Sequence, residues 1–185
     1  MTSVNNNSEP FGLDIDEKVM FFIEGANLHA LAKNLDMHMD FAKLHAYFQK
    51  HCRFVRANYY TTMNEDAEYN SIRPLIDWLS YNGYNVLTKP AKEHVDSLGR
   101  RKIKGNVDVE IAVDMLEAAK TCDHIVLFSS DADFLSAVTA VQRMGVRVTV
   151  VSTIPSVGDE LRRRADHFVD LDKVRHLVGK PLTSH

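Results

Sequence analysis

The sequence predicts an α/β domain built on a mostly parallel sheet of about five strands with helices on both faces. Two observations carry this. Short apolar runs alternate with stretches of helical period from one end of the chain to the other. The run HIVLFSS (124–130) is apolar without the in–out alternation of a half-exposed strand, as a central parallel strand is, and VRVTVVS (146–152) reads as a second buried strand.

The elements follow in order. VMFFIE (19–24) reads as a strand, LHALAKNL and FAKLHAYFQK as helical pieces, and FVRANYYT (54–61), rich in aromatic and β-branched residues, as a second strand. Residues 65–82 read as a helix that Pro74 bends or starts, closed by Gly83. YNVLTKP is a third strand, and the polar alternation around Gly99 predicts a β-hairpin or mobile loop near 89–104. VDVEIAVDMLEAAKT (107–121) is a helix whose buried face is expected to hold Val109, Ala112, Val113, Leu116 and Ala119. ADFLSAVTAVQRMG is a helix ended by Gly145, VGDELRRRAD a short helix, and HFVDL a last strand or turn. One domain over 18–178 is expected, with a disordered tail at 1–17 and a second tail at 179–185.

Composition narrows the class. Hydrophobic residues make up 45%, enough for a sizeable core, and no apolar run reaches membrane-spanning length. The N-terminus has no basic start or apolar h-region, and the two cysteines, Cys52 and Cys122, form no CxxC, so a reducing, cytoplasmic setting is expected. The net charge of -3 does not by itself suggest nucleic acid, but GRRKIKG (99–105) and RRR (162–164) are locally basic. HExxH, GxGxxG, P-loop and GxSxG patterns are all missing, which argues against a zinc protease, a dinucleotide or NTP enzyme and an α/β-hydrolase.

The chemistry concentrates where strands end. In open α/β sheets, sites form at the carboxyl ends of the strands. VMFFIE ends in Glu24 with Asn27 in the turn after it; HIVLFSS ends in Ser129 and Ser130, followed at once by Asp131 and Asp133; KGNVDVE puts Asp108 in the first turn of a helix. Taken singly, Asp131 is explained as an N-cap and Asp108 as a first-turn acid favoured by the helix dipole. For Glu24 that explanation is weaker, because a helix start would prefer Asp, Ser or Asn, and three acids at one expected edge favour a site. Clustered carboxylates repel unless a cation neutralises them, and an all-oxygen set suits Mg²⁺ or Mn²⁺ rather than zinc. Asp114, about 120° round the helix from Asp108, is either a supporting residue or exposed.

FFIEGANL, KGNVDVEIAVDML and LFSSDADFLSAV, followed by GVRVTVVS and DELRRRADHFVDL, resemble the NYN domain, a branch of the PIN-like nucleases, and within it the bacterial LabA-like proteins. The resemblance runs from about residue 18 to residue 172. It implies a three-layer α/β/α sandwich and a metal-dependent ribonuclease site. The resemblance places catalytic, metal-ligating acids at Glu24, Asp108, Asp131 and Asp133, with Asn27, Ser129 and Lys104 beside them as substrate contacts. Arg100, Arg101 and Lys102 are expected to join Lys104 in tracking an RNA backbone, and single-stranded RNA is the expected partner. Two positions depart from the pattern: Glu24 stands where the family has Asp, and Ser130 where it has Gly. The leading expectation is an RNA phosphodiesterase using Mg²⁺ or Mn²⁺. The alternatives are a non-catalytic RNA- or protein-binding regulatory module that keeps the metal site, and a metal-dependent phosphatase. The aromatic stretch around Trp78 is either core or interface, and a homodimer is expected.

Overall fold

The computed structural model describes residues 9–64, 71–95 and 97–182, with the backbone alone at 93, 94 and 101–104. In chain order the elements are β1 (Lys18–Glu24), α1 (Gly25–Asn34), β2 (Met37–Met39), α2 (Phe41–His51), β3 (Arg53–Met63), α3 (Arg73–Tyr81), β4 (Tyr84–Pro90), β5 (Lys92–Val95), β6 (Arg101–Lys104), α4 (Asp108–Ala118), β7 (His124–Phe128), α5 (Leu135–Arg143), β8 (Arg147–Ser152), α6 (Asp159–Arg164), β9 (His167–Asp170), α7 (Leu171–Val178) and β10 (Gly179–Pro181). A single 3-10 turn, Ala132–Phe134, leads into α5.

Six strands, one more than expected, form the central sheet in the order β4-β3-β1-β7-β8-β9, and every neighbouring pair in it is parallel. The sixth is β9, the segment that sequence left between strand and turn. Parallel neighbours need crossover connections, and the helices supply them on both faces. Leu28, Leu44, Phe48, Leu79 and Val174, from α1, α2, α3 and α7, pack one face against Phe21, Ile23, Tyr59 and Phe128. Ile111, Met115, Val138, Val141 and Leu161, from α4, α5 and α6, pack the other against Phe22, Tyr60 and Leu127. Successive residues of β1 and β3 thus serve opposite cores, which is why both strands are apolar at nearly every central position. Each such buried aliphatic or aromatic side chain contributes roughly 1.5–3 kcal/mol.

Three expectations need correction. The buried face of α4 is Ile111, Met115 and Ala118, whereas Val109 and Val113 are 69% and 51% exposed. The helix carries apolar residues on two sides, and the set that meets Phe22 and Ile125 is the one that is buried. Residues 9–17 are not all tail: Phe11 is fully buried against Tyr47 and Phe48, and Arg147 binds both the Gly12 carbonyl and the Glu17 carboxylate. Nor does the domain stop at 178, because Gly179–Pro181 pairs antiparallel with Met37–Met39.

Other features agree with expectation. α3 starts at Arg73, with Pro74 in its first turn, where the missing N–H costs nothing. Residues 65–70, expected to be helical, lie outside the described residues. β5 and β6 form the antiparallel hairpin expected around Gly99. Trp78 departs from expectation: core is the commoner of its two readings, and it is 40% exposed on α3.

Candidate active site

Chain order and sheet order locate the site before any side chain is considered. From β1 the chain steps outward through β3 to β4, returns across the sheet, and then steps outward the other way through β7, β8 and β9. The reversal lies between β1 and β7, and the crevice outside their carboxyl ends is where open parallel sheets bind ligands. Glu24 is the last residue of β1, and Ser129 to Asp131 directly follow β7.

Three carboxylates converge there. Asp108, Asp131 and Asp133 each bring one oxygen within 4.8 Å of the others. Asp108 opens α4, and Asn106, just before the Val107 N-cap, accepts the Asp108 N–H at 2.6 Å. Asp131 is also an N-cap, its Oδ1 accepting the Asp133 N–H at 2.9 Å, so the capping and the clustering explanations both hold. Gly105, just after the hairpin, lies so close to β3 that a Cβ would come within 2.6 Å of Thr62 Cγ2; its bareness lets the chain turn into α4 beside the sheet.

Glu24 stands beside this trio rather than within it. Its Oε2 accepts a hydrogen bond from Ser129 Oγ at 2.5 Å, and Ser129 Oγ in turn accepts the Asp131 N–H at 3.0 Å. Glu24, Asp108 and Asp131 all line a cavity of about 190 Å³, with Tyr60, Thr61, Thr62 and Asn106 as further polar wall. Burial raises the Glu24 pKa; the Ser129 hydrogen bond opposes this, and the Asp108 and Asp131 charges add to it. Asp108 is raised too, by burial first, against the Asn106 hydrogen bond and with Asp131, Asp133 and Glu110 adding. The metal-free site is thus a place where negative charge is held at a cost.

The expected substrate contacts divide. Ser129 is fully buried and bonded on both sides, so it positions Glu24 and Asp131. Asn27 Oδ1 accepts both the backbone N–H and the hydroxyl of Ser130 at 3.1 Å, which ties α1 to the end of β7. Ser130, the departure from a family glycine, uses its hydroxyl here and lies 2.7 Å from Ser152 Oγ on β8. Arg101, Lys102 and Lys104 lie on β6 and Arg100 just before it, on the strand that runs into Asp108 through Gly105 and Asn106.

Sequence reasoning missed three neighbours. Asn106 gave a signal, an amide two residues before a helix-start acid. Tyr60 donates to Asp114 Oδ2 at 2.7 Å, which makes Asp114 a support for the cavity wall. Lys89 on β4 pairs with Glu110 at 2.6 Å, one of the charges that raise Asp108. Neither pair is visible without the fold.

The NYN domain model matches residues 18–172, nearly all of the chain. The chain belongs to the NYN domain family. It is 32% identical over 167 residues to the low amplitude and bright protein LabA of Synechococcus elongatus, covering 88% of each chain. The crystal structure of a protein of unknown function from Vibrio parahaemolyticus matches with a TM-score of 0.71 at 25% identity, over 88% of this chain and 96% of that one. Membership of a PIN-like nuclease family supports a nuclease-type function. No helix among the described residues is long and apolar enough to cross a membrane.

Proposed function

We propose that this NYN domain is a ribonuclease that hydrolyses phosphodiester bonds of single-stranded RNA with Mg²⁺ or Mn²⁺. The observation that carries this is the convergence of Asp108, Asp131 and Asp133 within 4.8 Å at the β1/β7 crevice. The donor set fits a hard divalent cation: it is all carboxylate oxygen, partly exposed, and leaves room for water and phosphate oxygens. Asp108, Asp131 and Asp133 would hold the ion, and Glu24 lines the same cavity as Asp108 and Asp131. When bound, such an ion activates a water and offsets charge on the scissile phosphate.

The chain's own groups supply the rest. Glu24, with its pKa raised, is suited to take a proton from the attacking water, since a general base works best when its pKa approaches the working pH. Ser129 fixes which way that carboxylate faces. Thr61, Thr62 and Asn106 offer hydrogen bonds to phosphate or sugar from the cavity wall. Arg100, Arg101, Lys102 and Lys104 would follow the RNA backbone along the hairpin.

The test is cleavage of a single-stranded RNA with Mn²⁺ by the wild type and by Asp131→Asn. Activity that disappears in the variant supports the proposal, and equal activity in both refutes this site. A second reading, a non-catalytic RNA- or protein-binding module that retains the metal site, is favoured by one observation: Glu24 replaces the usual Asp and stands outside the trio. RNA cleavage that appears only in Glu24→Asp would establish that reading. The proposal includes a homodimer through the α3 face, where Trp78 and Tyr81 are exposed; light scattering that gives a single-chain mass would remove it.

A further inference from the structure

A second recess opens on the opposite face of the sheet, at the same strand end. Its volume is about 520 Å³, and Ala32, Met37, Met39, Phe41, Leu75 and Tyr59 make up most of its wall. Neighbouring residues of β3 face opposite ways, so Tyr60 meets α4 while Tyr59 closes this recess from below. The Tyr59 ring is held edge-on by Phe41, with centroids 5.6 Å apart.

The hydroxyl of Tyr59 is the polar group at the floor of the recess. The residue is only 2% exposed and among the described residues nothing hydrogen-bonds its hydroxyl, which is not itself a fully buried atom and so stays accessible to a ligand. It lies beneath Gly25, where a Cβ would come within 2.5 Å of it, so the glycine leaves that end of the recess open. The other polar side chains on the wall are Lys33, His29 and His38, and none is a carboxylate. Among the described residues no carboxylate pairs with Lys33. An apolar slot with polarizable methionine sulfur, one neutral donor at depth and a cationic rim suits an aromatic ring that carries an anion.

We infer that this recess binds a nucleotide, its base against Met37, Met39 and Phe41, its edge accepting from the Tyr59 hydroxyl, and its phosphate at Lys33 and His29. Gly25, on the wall of the recess, follows Glu24, on the wall of the carboxylate cavity, directly, so the two sites adjoin at the end of β1. RNA lying across the sheet edge would present one nucleotide to each. The choice of a nucleotide among aromatic anions rests on the nuclease reading; the recess and its free hydroxyl donor do not.

The test is calorimetric titration of uridine 5′-monophosphate, without metal, into the whole chain carrying Asp131→Asn. Saturable binding is expected, weakened about three- to tenfold by Tyr59→Phe, which keeps the ring and removes one hydrogen bond. Lys33→Glu, on the exposed rim, is expected to weaken it at least as much. No binding overturns the inference, as does equal affinity in all three proteins. Tighter binding of octanoate than of the nucleotide also overturns it, by assigning the recess to an aliphatic anion. Binding by a chain that cleaves no RNA leaves the inference standing while the nuclease reading falls; cleavage by a wild type whose recess takes no nucleotide does the reverse.

Discussion

The hydroxyl of Ser129 and the carboxylate of Glu24 meet at 2.5 Å across the junction of β1 and β7. The two residues are 105 positions apart in sequence, and the bond exists because Ile23 and Phe128 are paired in register at the carboxyl ends of the two strands. Ser129→Ala removes this donor and the acceptor of the Asp131 N–H together. It should cost about 1–3 kcal/mol in a denaturant melt, because a buried carboxylate loses its partner. It should also weaken Mn²⁺ binding by roughly 10–100-fold, the usual consequence of losing a residue that orients a metal ligand.

The raised pKa of Glu24 has a sign that stability measurements can read. A carboxyl whose pKa is raised on folding stabilises the fold fully below its unfolded pKa and loses that contribution as pH rises through the folded pKa. At neutral pH the ionised Glu24 is therefore a cost. Glu24→Gln, which still accepts from Ser129, should melt roughly 1–3 °C higher than the wild type at pH 7.5 in chelator. The gap should close as pH falls below the ordinary carboxylate range. A variant that melts lower at neutral pH would contradict the electrostatics of the site.

Metal should reverse that balance. Mn²⁺ at 100 times its dissociation constant adds about 2.7 kcal/mol to the folded state. The wild type should melt roughly 5–10 °C higher with Mn²⁺ than in chelator, and Asp131→Asn should show no such rise.

Lys89→Met tests the charge beside Asp108. Glu110 Oε1 accepts from Lys89, while Oε2 is buried without a hydrogen-bond partner. The Lys89 hydrogen bond leads the causes that hold the Glu110 pKa below its ordinary value, so the contribution exists above the unfolded pKa and is lost as pH falls through the folded one. The variant should lose about 1 kcal/mol at neutral pH, a figure kept small by the partial exposure of both side chains, and nothing at pH 3.

Phe11→Ala tests the N-terminal arm. The fully buried ring packs against Tyr47 and Phe48, and its loss should cost about 3–5 kcal/mol in a urea melt. An effect below 1 kcal/mol would mean that the arm does not belong to the core.

These residues also show what sequence could and could not reveal. The acids at 24, 108 and 131 were legible because each sits at a strand end or helix start, where the site rule for open sheets applies. That Asp133 would join the trio and Glu24 stand aside depends on the turn at 132–134, which periodicity does not encode. The face of α4 was misjudged because Val109 and Val113 are as apolar as Ile111 and Met115, and only the neighbours in space choose between them. Phe11 is one aromatic in a polar stretch and has no period to announce its burial. The partners of Ser129 and Asn27 were not legible, because their hydrogen bonds join parts of the chain more than 100 residues apart.

The β5–β6 hairpin has a further consequence. A cut at Gly99, whose surroundings are open, would divide the molecule into two pieces. The first would carry β1, β3, β4 and Glu24, and the second β7, β8, β9 and all three clustered aspartates. Each piece holds three adjacent strands of the sheet, and they meet along the β1–β7 seam. The protein is thus a natural candidate for fragment complementation, in which the carboxylate pocket exists only while its two halves are associated.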